Sequence, residues 1–479
     1  MAAETQTAED RSDRRPSRME PLLPGLLFAL IAALATRYWQ GYEFDTDEGI
    51  NLSKAALVAA GYHPYADIWN DQPPLLTYAL AIVHTQFGGS VAWARTLILF
   101  AASMLLVAVF AMLRASHGRG AAWFGVLVLA GTTVFLELSV SVMVGLPALS
   151  VMMWALCFAL SPGAHRGLNL VVAGALFAVS LQIKFFTFLA APALLLAALW
   201  PDSRTPFRPV RDVALLTAGF GAALAALVLA LGVPLMGQLV SPHVESDLRD
   251  TYSFWASLGE VREDLGENVW VLVLAVLGVA YCVRTRERTG LALTILSVVA
   301  LIAFCLHTPV NYHHALVYLL PLAGLAGIGA ERVRLRLAAY APHWRYLAGA
   351  AGLGLVLAGG IAAFPQIADG DPHGPRVAAA LAARQAPGEW AVSDRPMDTY
   401  RSGMLMPPPL AVYSKKRLRA GNLTAATLID AIDRYAPGVV IFRRFPPPPG
   451  VIEHLDRRYE PFDPGVEGAF FARRGTLAD

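Results

Sequence analysis

Apolar runs long enough to cross a bilayer recur from about residue 22 to about residue 364, separated by short polar junctions that are rich in arginine. A membrane span needs about 20 mainly apolar residues. About eleven segments meet that description: 22–39, 91–113, 121–138, 142–160, 167–183, 185–200, 212–234, 269–283, 290–306, 313–330 and 346–364. The pattern predicts an α-helical polytopic membrane protein. Two longer polar stretches, 40–90 and about 235–268, interrupt it. After Pro365 the composition becomes that of a soluble domain. There, strand-like runs at 390–392 and 439–442 are separated by a helix-like 425–435, which predicts a small α/β domain. The proline run 446–449 reads as a stiff connector.

Charge placement orients these segments, because short loops rich in Lys and Arg stay in the cytoplasm. With the N-terminus inside, every second junction should be basic. Those junctions carry Arg114 with Arg119, Arg166, Arg204 with Arg208 and Arg211, Arg284 with Arg286 and Arg288, and Arg332, Arg334, Arg336 and Arg345. The expected division is a cytoplasmic tail (1–21), a membrane domain (22–364) whose loop 40–90 lies on the outer face, and an extracytoplasmic domain (365–479). The first apolar segment follows Arg11, Arg14, Arg15 and Arg18 with no small-residue cleavage site, so it is expected to be an anchor. More than half of the residues are apolar and 15% are charged, outside the usual range for a soluble chain. The formal charge of +2 gives no reason to expect a nucleic-acid partner. Cys157, Cys282 and Cys305 each sit in an apolar run, as small core residues do.

Candidate chemistry gathers in the first outer loop. Phe44-Asp45-Thr46-Asp47-Glu48-Gly49-Ile50 follows the first span directly and opens a helix-like run that ends near Gly61. Asp45 or Thr46 can cap that helix, with Asp47 and Glu48 on its positive end. The same carboxylates also lie where a lipid-linked substrate would present its head group. Further on, Gly61-Tyr62-His63-Pro64-Tyr65-Ala66-Asp67 leads through Trp69, Asn70, Asp71 and Gln72 to Pro73-Pro74-Leu75.

An Asp-Glu pair after the first span, a Gly-x-x-Pro-Tyr-x-Asp segment and a Pro-Pro-Leu segment resemble the GT-C glycosyltransferases related to dolichyl-phosphate-mannose protein mannosyltransferases and the aminoarabinose transferase of lipid A. The resemblance implies a catalytic base at Asp47 with Glu48 beside it, and substrate contacts at Tyr65, Asp71 and Gln72. Many relatives carry a Lys at the position of Gln72, where it helps to hold the donor phosphate. Lys184, between two apolar runs at the outer boundary, is either a snorkelling cation or the replacement for that phosphate ligand; the second reading is preferred.

The loop before the tenth span, His307 to His314, resembles a histidine-containing loop of the same enzymes and adds His313 and His314 as candidate substrate contacts. Those two histidines and Asp71 could share a divalent ion, but adjacent histidines are not metal-site spacing, and no metal or other cofactor is predicted as required. Glu137, His243, Glu245 and Arg249 are further outward-facing candidates. The resemblance implies a multi-pass plasma-membrane enzyme moving a sugar from a polyprenyl-phosphate carrier to a lipid, glycan or protein acceptor. A lipid-sugar flippase and a polysaccharide ligase are the competing functions. A flippase fits less well, because its substrate site would be expected near the bilayer midplane.

Overall fold

A computed structural model describes residues 19–161, 163, 165–200, 208–232, 237–239, 253–307, 310–340, 350–352, 354, 357–359, 361, 370–384 and 388–475. His243, Glu245 and Arg249, most of the segment 346–364 and the basic tail lie outside the described residues.

The apolar runs fold as helices because their backbone groups have no water to bond with in lipid. Helix α1 (Leu23–Thr36) is followed by two helices of the first loop, α2 (Thr46–Ala59) and α3 (Leu75–Phe87). Next come α4 (Val91–His117), α5 (Arg119–Ala130), α6 (Thr133–Val140), α7 (Gly145–Leu160) and α8 (Arg166–Leu181). A 3₁₀ segment (Phe185–Ala190) leads into α9 (Ala191–Leu199), then α10 (Pro209–Leu231), α11 (Phe254–Glu267), α12 (Val269–Thr285), α13 (Arg288–Leu306) and α14 (Ala315–Tyr340). Among the described residues, α4, α10, α13 and the stretch 312–339 are long and apolar enough to cross a membrane singly. The outward faces of α1 (Leu26, Leu30, Leu34) and α12 (Val269, Val273, Val276) stay exposed, as expected of helices that meet lipid tails.

The segment 121–138 was expected as one straight span and is broken. Gly131 ends α5, Thr132 takes an extended backbone, and α6 leaves at 73°. Similarly, α11 and α12 meet at 86° at Asn268, whose side chain donates to the Asp264 carbonyl (2.8 Å). Glycine permits a close crossing of α8 and α10: a Cβ at Gly174 or Gly219 would strike the backbone of the other helix.

The two ends of the bundle differ. At one end, Glu20 pairs with Arg119 (2.8 Å), Arg166 with Asp212 (2.7 Å), and Arg288 donates to the carbonyls of Ala159 (2.8 Å) and Ala197. These contacts collect the basic junctions on one face. Helices α2 and α3 and the break at Lys184 lie at the other, and the C-terminal domain sits over that second face.

This domain contains α15 (Gly374–Ala382), β1 (Ala391–Ser393), α16 (Pro396–Arg401), α17 (Lys415–Arg419), α18 (Ala425–Tyr435), β2 (Val439–Phe442), α19 (Val451–Leu455), β3 (Tyr459–Pro461) and β4 (Ala469–Arg473). The sheet order is β1-β2-β4-β3, with β1 and β2 parallel and the other pairs antiparallel. Strand β2 is β-branched and aromatic throughout and buried at every position, as a central strand covered on both faces should be. Pro461 ends the edge strand β3, where a missing donor costs least.

A polar seam docks the domain. Arg443 forks onto Asp398 (2.9 and 3.0 Å) and Asp371 (3.2 and 2.9 Å), and Tyr42 donates to Asp398 (3.0 Å). Arg401 donates to the carbonyls of Gly41 (2.6 Å) and Tyr42 (2.8 Å).

The segregated charges predict that the C-terminal domain lies outside the cytoplasm. A reporter active only in the cytoplasm, fused after Asp479, should give no signal; strong signal would invert the topology and carry the loop 40–90 with it.

Candidate active site

Helix α2 starts where the sequence suggests. Asp45 is its N-cap, in extended backbone, and its carboxylate accepts from the Asp47 amide (2.8 Å). From that start, side chains seven residues apart share a face, so Asp47 and Lys54 lie on one side of α2. Glu48, one residue on, points elsewhere.

Glu48 is fully buried. It takes two bonds from Arg95 of α4 (2.7 and 2.6 Å) and further bonds from the amides of Val142 (3.1 Å) and Phe44 (3.2 Å). Arg95 uses its remaining donors on the carbonyls of Tyr38 (2.6 Å), Gly41 (2.7 Å) and Tyr42 (3.4 Å). A carboxylate so occupied has no capacity left for a reacting hydroxyl. Glu48, expected beside Asp47 in the catalytic role, therefore serves to hold the loop to the bundle. Asn51, on the same helix, reinforces this by donating to the Val142 carbonyl (2.9 Å).

Asp47 faces a different set. Burial raises its pKa, and Asp71 raises it further, while Lys184, Arg444 and Lys54 pull it back. Asp45 is raised as well, by burial and by Asp47, and it accepts from the Tyr312 hydroxyl (2.8 Å).

Three connections bring the cations to Asp47. The Leu75 amide donates to the Gln182 carbonyl (3.0 Å), tying the start of α3 to the break that exposes Lys184. Lys54, itself buried, donates to Asn70 (3.1 Å). Lys416 of α17 stands 3.5 Å from Asp71. Arg417 fixes that short helix by lying 4.4 Å over the Trp69 ring and donating to the Val412 carbonyl (3.3 Å).

The other sequence candidates divide. His313 is close enough to feel both Lys184 and Asp45. His314 is buried, accepts from the Asn311 amide (3.1 Å) and stacks on Phe304 (5.0 Å), so it shapes the turn. Tyr65 takes left-handed backbone (φ 69°), and its hydroxyl goes to the Gln72 carbonyl (2.6 Å); both residues bind each other instead of meeting a ligand through those groups. Asn70 also donates to Gln72 (2.7 Å). Among the described residues His313, His314 and Asp71 do not converge as metal ligands; the one such grouping, His117, Cys282 and Glu287, lies among the basic junctions. Glu137 has a buried oxygen with no hydrogen-bond partner, and it feels the charges of Glu267 and Asp45.

Sequence reasoning missed Lys54, Lys416 and Arg444. Lys54 had a signal, a lone Lys one heptad after Asp47 in an apolar run. The other two come from the C-terminal domain, and nothing in 415–419 separates an active-site lysine from an ordinary basic helix.

This architecture, an apolar helical bundle with carboxylates on a loop helix at one end and a small α/β domain above them, is the GT-C type of membrane glycosyltransferase fold. Residues 71–228 match the family described as dolichyl-phosphate-mannose-protein mannosyltransferase. The chain is similar in structure to ArnT from Cupriavidus metallidurans bound to undecaprenyl phosphate, with a TM-score of 0.69 and 14% identity over 97% of this chain and 100% of that one. It also resembles the oligosaccharyltransferase AglB from Archaeoglobus fulgidus in complex with an inhibitory peptide and a dolichol-phosphate (TM-score 0.55, 12% identity, 96% of this chain and 75% of that one). No curated protein matches the sequence.

The Arg95–Glu48 pair gives a first test of the site's framework. Glu48→Gln leaves Arg95 buried without its counter-charge and should destabilise the protein by about 3–5 kcal/mol. A clearly lower melting temperature in detergent is expected; wild-type melting would show that the pair does not hold the loop.

Proposed function

We propose that this chain is a membrane glycosyltransferase that moves a sugar from a polyprenyl-phosphate donor to an acceptor hydroxyl, with inversion, on the extracytoplasmic face of the plasma membrane. One observation carries the reading: Asp47 feels the charges of Lys54, Lys184, Lys416 and Arg444, four cations against the three carboxylates Asp45, Asp47 and Asp71. A surplus of cations at a lipid-facing end suits a phosphate head group. The ligands named for the two similar structures, undecaprenyl phosphate and dolichol-phosphate, support the same donor class.

In the proposed reaction the acceptor oxygen attacks the anomeric carbon while the bond from that carbon to the phosphate oxygen breaks. The bonding pair leaves with the phosphate, and Asp47 takes the hydroxyl proton. The products are the glycoside and the polyprenyl phosphate. Lysines already in place where charge gathers on the leaving phosphate lower the barrier more than water could, because they need no reorganisation. The phosphate departs as a stable anion, so the reaction as written draws on no cofactor. One displacement inverts the anomeric centre. Lys184 and Lys416 approach from opposite parts of the chain and can grip the phosphate from two sides.

Asp47→Asn should cut turnover by about 100-fold or more through loss of the base, with undecaprenyl phosphate binding unchanged. Because burial raises the Asp47 pKa, the active base form disappears as pH falls through that raised value. The acid limb of the turnover profile should therefore lie above the ordinary aspartate pKa of about 3.9. Near-normal turnover of the Asn variant would remove Asp47 from the mechanism.

Lys184→Ala and Lys416→Met should each weaken undecaprenyl phosphate binding, measured by titration in detergent, by about tenfold or more through loss of a charge-assisted contact. Melting temperature should hold, since neither truncation opens a core cavity. Unchanged affinity would return Lys184 to the snorkelling reading and Lys416 to a partner of Asp71 alone.

A further inference from the structure

Two cavities lie along the docking seam beside the start of α2. One, about 620 Å³, is lined by residues 43–46 and by Asp371, His373 and Arg395. The other, about 420 Å³, shares Asp371, His373 and Arg395 and continues past Phe442 to Phe445 and Pro446. Together they form one polar passage between the loop and the C-terminal domain. It ends at Asp45 and Thr46, immediately before the base, and Arg444, which feels the charge of Asp47, lies in its wall.

The wall contains groups whose bonding is unfinished. Glu43 is 3% exposed, and neither of its carboxylate oxygens accepts a hydrogen bond, although Arg395 stands 3.1 Å from one of them. The buried Arg395 Nε is likewise without an acceptor. By contrast, Asp371 is occupied, by Arg395 (2.9 Å), by both forks of Arg443 and by the His373 amide (3.1 Å). Buried polar atoms left unpaired cost free energy unless a ligand or water completes them.

We propose that this passage is the acceptor site and that it takes a neutral, hydroxyl-rich acceptor, the end of a carbohydrate chain. The inference rests on the glycosyltransferase reading and adds to it the class of acceptor. The charges in the wall decide that class. An anionic acceptor would meet Asp45, Asp371 and Glu467, and a cationic one would meet Arg395, Arg443 and Arg444. A hydroxyl both donates and accepts, so neighbouring hydroxyls of a sugar ring can donate to Glu43 and accept from Arg395 together. Phe44 and Phe445, both only partly buried, supply apolar surface for the carbon side of a ring.

The test uses the full-length protein in lipid nanodiscs and saturation-transfer NMR with methyl glycosides of neutral hexoses. A blocked serine dipeptide and inorganic phosphate serve as comparison probes. Wild type should bind at least one glycoside in preference to both comparison probes. Glu43→Gln, which turns one of the two waiting oxygens into an amide donor, should weaken that binding by about tenfold or more. His373→Trp alters only an exposed residue of the shared wall and should block the passage without disturbing the buried seam. Both variants should bind undecaprenyl phosphate as wild type does, and if Glu43→Gln melts early the His373→Trp result stands in its place. Failure of every glycoside to bind, equal binding of the serine dipeptide, or wild-type glycoside affinity in the folded variants would overturn the proposal. Glycoside binding lost in the variants, with no undecaprenyl phosphate binding to wild type, would keep this site and sink the transferase reading alone.

Discussion

The site depends on one buried ion pair. Arg95 is enclosed in the membrane bundle, where an unpaired guanidinium would be prohibitively costly, and its counter-charge comes from the first loop, not from a neighbouring span. Glu48 must therefore enter the bundle, and with it the first turn of α2. The same guanidinium holds the carbonyls of Tyr38 and Gly41, so the chain leaving α1 and the start of the loop helix are fixed from a single centre. Once Glu48 is turned inward, the helical rotation of about 100° per residue directs Asp47 toward the lysines.

The C-terminal domain is part of the same construction. Gly41 bonds through its carbonyl to Arg95 of the bundle and to Arg401 of the domain, so one peptide group joins both bodies. Around it, Tyr42, Asp398, Arg443, Asp371, Arg395 and Glu43 form a chain of buried charges. Such networks are costly to desolvate and add little net stability, but they fix one arrangement, because a shifted arrangement strands charges without partners. Here that arrangement sets Lys416 against Asp71.

Much of the bundle was legible in the sequence. Apolar run length and arginine spacing located the helical segments, Asp45 announced the start of α2, and 425–435 and 439–442 were read where they occur. The breaks at Gly131 and Asn268 were not legible, because an apolar run carries no mark of where packing will bend it. Strands β3 and β4 are short, and β3 ends in proline, so they left little periodic signal. At the candidate site, Asp47 and Lys184, offered by their place at the membrane boundary, and Asp71, offered by the family resemblance, fall close enough to feel one another's charge. The division of labour between Asp47 and Glu48 was not, since two adjacent acids look alike until the partner of one is known. Arg95 itself was hidden as one charge within an apolar run, although an intramembrane arginine is a functional signal in its own right.

The contact between Lys416 and Asp71 has a consequence for the order in which the protein is made. Synthesis runs from the N-terminus, so the loop, the bundle and Asp47 are complete well before α17 leaves the ribosome. A nascent chain in the membrane would thus hold Asp47 and Lys184 while lacking Lys416, Arg444 and the C-terminal wall of the two cavities. Lys416 and Arg444 are made after the rest of the set, so the full ring of charge exists only once the C-terminal domain has folded onto the loop.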